Sequence, residues 1–181
     1  MKGYLLTVFI TCLVSFSCNS KGDDSKATEF YNLILSTSKA TNIAQDRFLQ
    51  EFVQTIDTAD NNVVIHTEYL SKLLDSAQSA TLQEIGIINT LEETDEDIKL
   101  KGKALEFDNL FDSLCSSEFK DCLNVLDNQE GDRYERCIKL LQPRYPVRLK
   151  ELRRQFVNAG EDFSKKYGIK LYDVSSKINS Q

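Results

Sequence analysis

One run of apolar side chains constrains the fold of this chain more than any other feature of its sequence. Steps of three and four residues place side chains on one face of an α-helix, because the helix has 3.6 residues per turn. Between residues 100 and 126 the apolar side chains recur at these steps, at Leu100, Ala104, Phe107, Phe111, Leu114, Cys115, Phe119, Cys122 and Leu126. The sequence therefore predicts an amphipathic helix here that buries one face against other elements.

Two further runs with helical period precede this one. The first covers about residues 28–57 and the second about residues 62–81. The connection at 82–93 contains the apolar patch Ile85–Ile88, which we expect to be an extended segment packed over a helix groove. The next four residues, Thr94–Asp97, match a capping box at the start of the third helix, with Thr94 as the N-cap.

A fourth helical run extends from Asp132 to about Tyr167 and contains both prolines of the chain. Pro143 and Pro146 each remove a backbone donor, while the apolar phase continues across them. The last helix is therefore expected to be broken or kinked near these prolines. Gly168 is expected to end it as the C′ residue.

The predicted fold class is all-α. Seven glycines and two prolines in 181 residues are too few for the frequent turns of a β-sandwich or barrel. The length suits one domain. Four helices with one apolar face each, joined mostly by short polar links, are expected to form an antiparallel up-down four-helix bundle.

The N-terminus indicates the compartment. Lys2 precedes an apolar run, Tyr4–Phe16, that is too short to span a bilayer, which predicts a lipoprotein signal peptide over residues 1–17. Small residues near Cys18 indicate cleavage before this cysteine and acylation of its thiol. The alternative is an ordinary signal peptide cut elsewhere, which leaves a secreted or periplasmic helical protein without a lipid anchor.

Four segments follow from these patterns: the signal peptide 1–17, a flexible tether 18–27 from acylated Cys18, the helical domain 28–171, and a polar tail 172–181. A lipid on Cys18 predicts that the protein binds a membrane through its N-terminus. The expected location is the bacterial cell envelope, at the outer membrane and its surface, where disulfides are permitted.

Three cysteines lie in the predicted helical domain. Cys115 and Cys122 are too far apart on one helix for a disulfide, at roughly 10 Å by the helical rise. Cys122 and Cys137 flank a polar stretch, and a bridge between them would join two helix ends. The alternative is three buried, reduced thiols.

Charge is distributed unevenly. The formal net charge is −6, and this acidic balance argues against a nucleic-acid partner. Basic residues concentrate between 133 and 154, which predicts an anion-binding patch for an anionic envelope component, a glycan or an acidic protein face. Its candidate members are Arg144, Arg148, Lys150, Arg153 and Arg154. The alternative is that these cations pair with acidic faces of neighbouring helices.

Candidate catalytic and metal sites are weak. His66 is the single histidine, so most zinc, haem and triad designs lack their ligands. The carboxylates of Glu92–Asp97 could hold Ca²⁺ through oxygen ligands, and the alternative is a solvated helix N-terminus. The window Asp57–Glu68 fails as a calcium loop, because Ala59 stands at its third position and Asn62 at its glycine position. We expect no metal, no cofactor and no enzymatic activity, but a binding or scaffolding module. The alternative is a bundle that carries an apolar ligand between its helices.

Three segments carry a resemblance to a known family. They are Phe30-Tyr31-Asn32 at the start of the first helix, the run Asp97–Phe107, and the closing run Gln155–Ile169. With the anchored N-terminus, most of residues 28–172 resembles a family of helical bacterial surface lipoproteins first noted in spirochaetes. The resemblance implies a bundle fold and surface placement, and it implies no reaction and no functional residues. The two prolines and three cysteines depart from the family's pattern.

Overall fold

The structure is a computed structural model that describes residues 20–59, 67–128, 132–142 and 144–169, with side chains from Ser25 onward except at residue 144. Three predicted features lie outside these residues: the signal peptide 1–17, acylated Cys18 and the polar tail 172–181. His66 also lies outside them.

All regular structure in the described ranges is helical, which confirms the all-α prediction for this part of the chain. No described helix is long and apolar enough to cross a membrane. The helices are α1 (Ser20–Thr58), α2 (Thr67–Asn89), α3 (Leu100–Ser116), α4 (Glu118–Asp127), α5 (Arg133–Leu141) and α6 (Arg144–Lys166).

Helices α1 and α2 lie along each other and run in opposite directions. Ser38 in α1 donates a hydrogen bond to Glu84 in α2. Further along α1, Arg47 donates to the hydroxyl of Tyr69 (3.3 Å), which comes earlier in α2. The two helices are therefore antiparallel.

Helix α6 also runs opposite to α1. Near the start of α1, the ring of Tyr31 stacks on Phe163, with 5.8 Å between ring centroids. Later in α1, Asp46 pairs with Arg153, which is earlier in α6. Helix α3 lies between α2 and α6 and packs against both.

Helix α1 begins earlier than predicted. It starts at Ser20, so most of the segment 18–27 that the sequence predicts as a flexible tether is helical. Ala27 is fully buried in the same apolar cluster as Tyr31 and Ile34, so the buried face of α1 extends upstream of residue 28. Of the charged residues in this segment, the lysines are good helix formers and the aspartates are not, so local propensity alone does not separate a helix from a solvated tether.

The extended segment predicted at Ile85–Ile88 is wrong. Helix α2 continues through it to Asn89, and Ile88 is fully buried. Gly86 and the β-branched isoleucines have low helix propensity. Ile88 is buried on the same face as Leu74, and the stabilisation from this burial exceeds the free-energy cost of the low helix propensity.

The predicted capping box at Thr94 is also wrong. Helix α3 begins only at Leu100, and two other carboxylates bond to the backbone of this region. Asp95 accepts hydrogen bonds from two N–H groups of the following turn, and Glu93 accepts one from the N–H of Gly102 (3.0 Å). Glu93 thus satisfies an unpaired donor in the first turn of α3, where the helix dipole favours a negative charge.

The long third helix of the sequence analysis is divided in two. Helix α3 ends at Ser116 and α4 begins at Glu118, with Ser117 at φ −128° and ψ −88° between them. Phe111 before the break and Phe119 after it belong to the same apolar cluster. The break therefore leaves the phase of the buried face unchanged.

The predicted break near Pro143 and Pro146 is confirmed. Helix α5 ends at Leu141, Gln142 has a φ of 44°, and α6 begins at Arg144. Pro146 lies in the first turn of α6, where its missing N–H would have no partner within the helix.

Gly168 follows α6 at a φ of +63°, as predicted for a C′ residue. The N–H of Ile169 donates to the carbonyl of Ser164 (2.8 Å), and the N–H of Gly168 to that of Lys165 (3.4 Å). These two bonds satisfy carbonyls of the last turn in a Schellman motif.

Two apolar clusters form the core of the described residues. The large cluster contains Phe48 and Phe52 of α1 with Phe111 and Phe119 of α3 and α4. The small cluster joins the start of α1, the end of α2, the start of α3 and the end of α6; its buried members are Ala27, Phe30, Tyr31, Ile34, Ile88, Leu100, Ala104, Phe156, Ala159 and Phe163.

A layer of buried polar side chains separates the two clusters along the helices. We call it the buried polar layer. Each member is at most 4% exposed, and together they come from three helices: Ser38, Thr41 and Gln45 of α1, Thr81 and Glu84 of α2, and Asp108 of α3.

Candidate functional site

An apolar cavity of about 310 Å³ lies among α1, α3, α4 and α6. Ten of the thirteen side chains that line it are uncharged and have no amide group, and most of them belong to the apolar faces of their helices. The full lining set is Gln45, Leu49, Phe52, Val53, Phe107, Leu114, Phe119, Leu141, Tyr145, Pro146, Leu149, Lys150 and Arg153.

The break between α5 and α6 contributes one wall of the cavity. Leu141 comes from the end of α5, and Tyr145, Pro146 and Leu149 come from the first two turns of α6. A straight helix has no such change of direction at this level, so the break after α5 shapes the cavity through the backbone. Val53, which is 54% exposed, lies at the mouth on the α1 side.

Two cations border the mouth of the cavity. Arg153 binds Asp46 through both of its terminal nitrogens, at 2.6 and 2.9 Å, and this contact raises the pKa of its guanidinium above the ordinary value. Lys150 is exposed and has no ion-pair partner among the described residues. The cavity lining contains no carboxylate.

The inner end of the cavity meets the buried polar layer at Gln45. The amide nitrogen of Gln45 donates to the hydroxyl of Thr81 (3.0 Å), while its oxygen Oε1 has no partner among the described residues. Asp108 lies beside Gln45 and also has an oxygen, Oδ2, without a described partner. Burial, together with the negative charge of Glu84, raises the pKa of Asp108 to about 8.

Glu84 is the second buried carboxyl of this layer. It accepts a hydrogen bond from Ser38 and lies close to Thr41. Burial raises the pKa of Glu84 above its ordinary value, and the hydroxyl contacts oppose this rise. The layer therefore holds two carboxyl groups whose neutral forms are favoured by their surroundings.

The members of the predicted anion-binding patch do not form one open surface. Arg153 is engaged with Asp46, and Arg154 bonds to Glu151 on its own helix (2.9 and 3.1 Å). Arg148 and Lys150 are exposed, and the side chain of Arg144 lies outside the described residues. The alternative stated for this patch, pairing with acidic faces of neighbouring helices, accounts for Arg153, whereas Arg154 pairs within its own helix.

Cys122 and Cys137 lie against each other across α4 and α5. Each sulfur is 3.7 Å from the backbone carbonyl oxygen of the other residue, and both residues are fully buried. In the described part of the chain neither of these cysteines, nor Cys115, is in a disulfide. Burial raises the pKa of the Cys115 thiol to about 12.

Metal ligands do not cluster in the part of the chain that the structure describes. Two carboxylates of the candidate cluster Glu92–Asp97 are occupied by protein donors: Glu93 bonds to the start of α3, and Asp95 also accepts from the hydroxyl of Tyr167 (3.1 Å). Much of the window Asp57–Glu68 lies outside the described residues.

The sequence pattern named some of these residues but not the cavity. Lys150 and Arg153 were candidates because of charge, and the aromatic and leucine walls belong to helical stripes that predict a core. Gln45 was not singled out. Its signal was a polar side chain close to Ala44 and Phe48 in the predicted apolar stripe of α1.

No protein-family description, characterised protein or solved structure was found to match this chain.

Proposed function

We propose that this chain is a lipid-anchored protein of the bacterial cell envelope that acts as a non-catalytic binding module, with an apolar ligand in the cavity. The cavity is the observation that carries the binding role. Its volume of about 310 Å³ lies within the range of small-molecule sites, which are mostly apolar with a few polar groups. Gln45, Lys150 and Arg153 are the polar groups of this one.

The energetics favour an occupant. Closing apolar side chains around a ligand removes apolar surface from water at about 25 cal/mol per Å² on each side of the contact. The walls offer that surface from Leu49, Phe107, Leu114 and Leu149, which come from three different helices. A preformed site of this kind needs little rearrangement to bind.

We also propose that the six helices act as four in an antiparallel up-down bundle. In this topology α3 with α4, and α5 with α6, each form one interrupted helix. The continuous apolar phase across Ser117 supports the first pairing, and the continuous phase across Gln142 supports the second.

The location rests on residues 1–18 of the sequence. Mass spectrometry of the protein extracted from membranes is expected to find an acylated N-terminal Cys18. A Cys18→Ser variant is expected to leave the membrane fraction, because its anchor is lost. Protease treatment of intact cells then determines whether the domain faces outward. An unmodified N-terminus at another residue would overturn the anchor.

The cavity is tested by closing its mouth. N-phenyl-1-naphthylamine, a neutral dye that fluoresces in apolar sites, is expected to bind the purified full-length protein at one site. Val53→Trp places a bulky ring at the mouth and is expected to weaken dye binding at least about tenfold, a loss of about 1.4 kcal/mol.

Val157→Trp is the matched control. Val157 is also an exposed valine on a helix, at 51% exposure against 54% for Val53, and it does not line the cavity. This variant is expected to bind the dye like the parent. Equal binding by Val53→Trp, or no binding by the parent protein, would contradict the proposed site. Circular dichroism of both variants checks that they are folded.

A further inference from the structure

We propose that the ligand of this cavity is a single-chain amphiphile with an anionic head group, with its tail among α1, α3 and α6 and its head at Lys150. This inference rests on the proposed function and adds the chemical class of the ligand. It follows from the separation of apolar and charged groups in the cavity.

The inner walls suit an unbranched apolar tail. Phe52, Phe107, Leu114 and Phe119 are buried side chains without polar atoms. Gln45 is the one polar side chain at this depth, and its amide nitrogen is already bonded to Thr81. A ligand with several polar groups in its inner part would leave them without partners, which costs free energy in an apolar site.

The charge at the mouth selects the head group. Lys150 is exposed, carries no ion pair among the described residues and lies at the border of the cavity. Arg153 beside it is paired with Asp46, so its charge is compensated and it is not available for a second bidentate contact, which leaves Lys150 as the uncompensated cation of the lining. Since no carboxylate lines the cavity, an anionic head gains attraction at the mouth and a cationic head meets repulsion.

The geometry also explains why the two cations differ in role. Arg153 joins α6 to α1 through Asp46 and lies close to Asn42 (3.4 Å), so it holds two cavity walls together. Lys150 makes no such connection in the described residues, and its long side chain is therefore available to the ligand. We assign the head-group contact to Lys150 and wall positioning to Arg153.

The test compares ligands that share one tail and differ in head charge. Dodecanoate, 1-dodecanol and dodecyltrimethylammonium, each below its aggregation concentration, compete with N-phenyl-1-naphthylamine for the purified full-length protein at neutral pH and low salt. Dodecanoate is expected to bind about tenfold more tightly than 1-dodecanol, as one charge-assisted contact predicts. Dodecyltrimethylammonium is expected to bind most weakly.

Two variants assign the preference to a residue. Lys150→Gln is expected to remove most of the advantage of dodecanoate while leaving 1-dodecanol unchanged. Lys165→Gln, an exposed lysine of the same helix that lies away from the cavity, is expected to keep the parent's preference. Salt at 0.5 M is expected to reduce the preference as well, because it screens an exposed charge.

The outcomes separate this inference from the function on which it rests. Equal binding of dodecanoate and 1-dodecanol by the parent, or a preference that survives in Lys150→Gln, would overturn the anionic head group and leave an apolar site. No dye binding by the parent protein would overturn the proposed function itself.

Discussion

At the scale of single residues, Asp108 and Gln45 each keep one buried oxygen that has no partner among the described residues. Asp108 Oδ2 and Gln45 Oε1 are both buried acceptors without a described donor. A proton on Asp108 turns its carboxyl into a donor beside the amide of Gln45. Because burial raises the pKa of Asp108 to about 8, this proton is retained at neutral pH, when an ordinary aspartate has lost it.

Stability is therefore expected to fall as the pH rises toward 8. Asp108 binds its proton in the folded state up to its raised pKa and in the unfolded state only up to about 4, so the folded state holds more protons across this window. Each pH unit in the window costs up to about 1.4 kcal/mol. Asp108→Asn stays neutral at every pH. Its free energy of unfolding minus that of the parent is expected to be about 2–4 kcal/mol larger at pH 8 than at pH 5.

Urea unfolding of both proteins at several pH values measures this difference. Asp112→Asn, one turn away on α3 and partly exposed, is the control and is expected to keep the pH slope of the parent. Glu84 contributes to the slope in the same direction, so a residual slope in Asp108→Asn is expected. An unchanged slope in Asp108→Asn would contradict this account.

At the scale of elements, the helix ends and breaks decide which predictions succeed. Proline and glycine act through backbone geometry, so the break at Gln142 and the end at Gly168 were predictable from residue type. The break at Ser117 has no comparable signal. The cap of α3 was missed because Glu93 lies seven residues before its first residue, outside the range of a local capping pattern.

Two glycines give opposite predictions for the same substitution. Gly168 has a φ of +63°, so Gly168→Ala is expected to destabilise the domain by about 1 kcal/mol. Gly86 lies inside α2 with open space around its Cα, so Gly86→Ala is expected to stabilise it by about 0.5–1 kcal/mol. Thermal unfolding measures both effects, since a change of 1 kcal/mol in stability shifts the Tm of a chain of this size by roughly 2–4 °C. Shifts of the same sign would contradict the assigned backbone roles.

The cysteine contact predicts a covalent link between α4 and α5. At the proposed envelope location, Cys122 and Cys137 are expected to form a disulfide during folding, before burial closes over them. The two thiols lose two protons and two electrons, which reduce the disulfide of an envelope thiol oxidoreductase. A bridge that closes a loop of this length is expected to add about 3 kcal/mol to the stability of the domain.

Alkylation of acid-quenched protein, followed by mass spectrometry of peptides, tests this bridge. Without reductant, Cys115 alone among residues 115, 122 and 137 is expected to be alkylated, and all three after reduction. Cys115→Ala is expected to leave the bridge in place. Alkylation of all three before reduction, together with no bridge after treatment with oxidised glutathione, would refute it.

At the scale of the whole molecule, the core is two apolar clusters rather than one. The large and small clusters meet at the buried polar layer, and hydrogen bonds such as Ser38 to Glu84 fix how the helices align there. Buried polar contacts specify register in helical assemblies, because a shifted alignment leaves them without partners. Sequence periodicity indicates which faces are buried, and it carries no information on where the packing leaves a cavity.

The early start of α1 at Ser20 sets the distance between the proposed lipid anchor at Cys18 and the cavity. Ser20 comes two positions after Cys18, a chain length of at most about 7 Å, so a lipid on Cys18 would hold the first turn of α1 beside the membrane. Helix α1 rises 1.5 Å per residue, so Leu49 at the cavity lies roughly 45 Å along the helix axis from that attachment point. With α1 upright, the binding site stands well clear of the head groups. An amphiphile would then be collected from, or delivered to, something other than the membrane that anchors the protein.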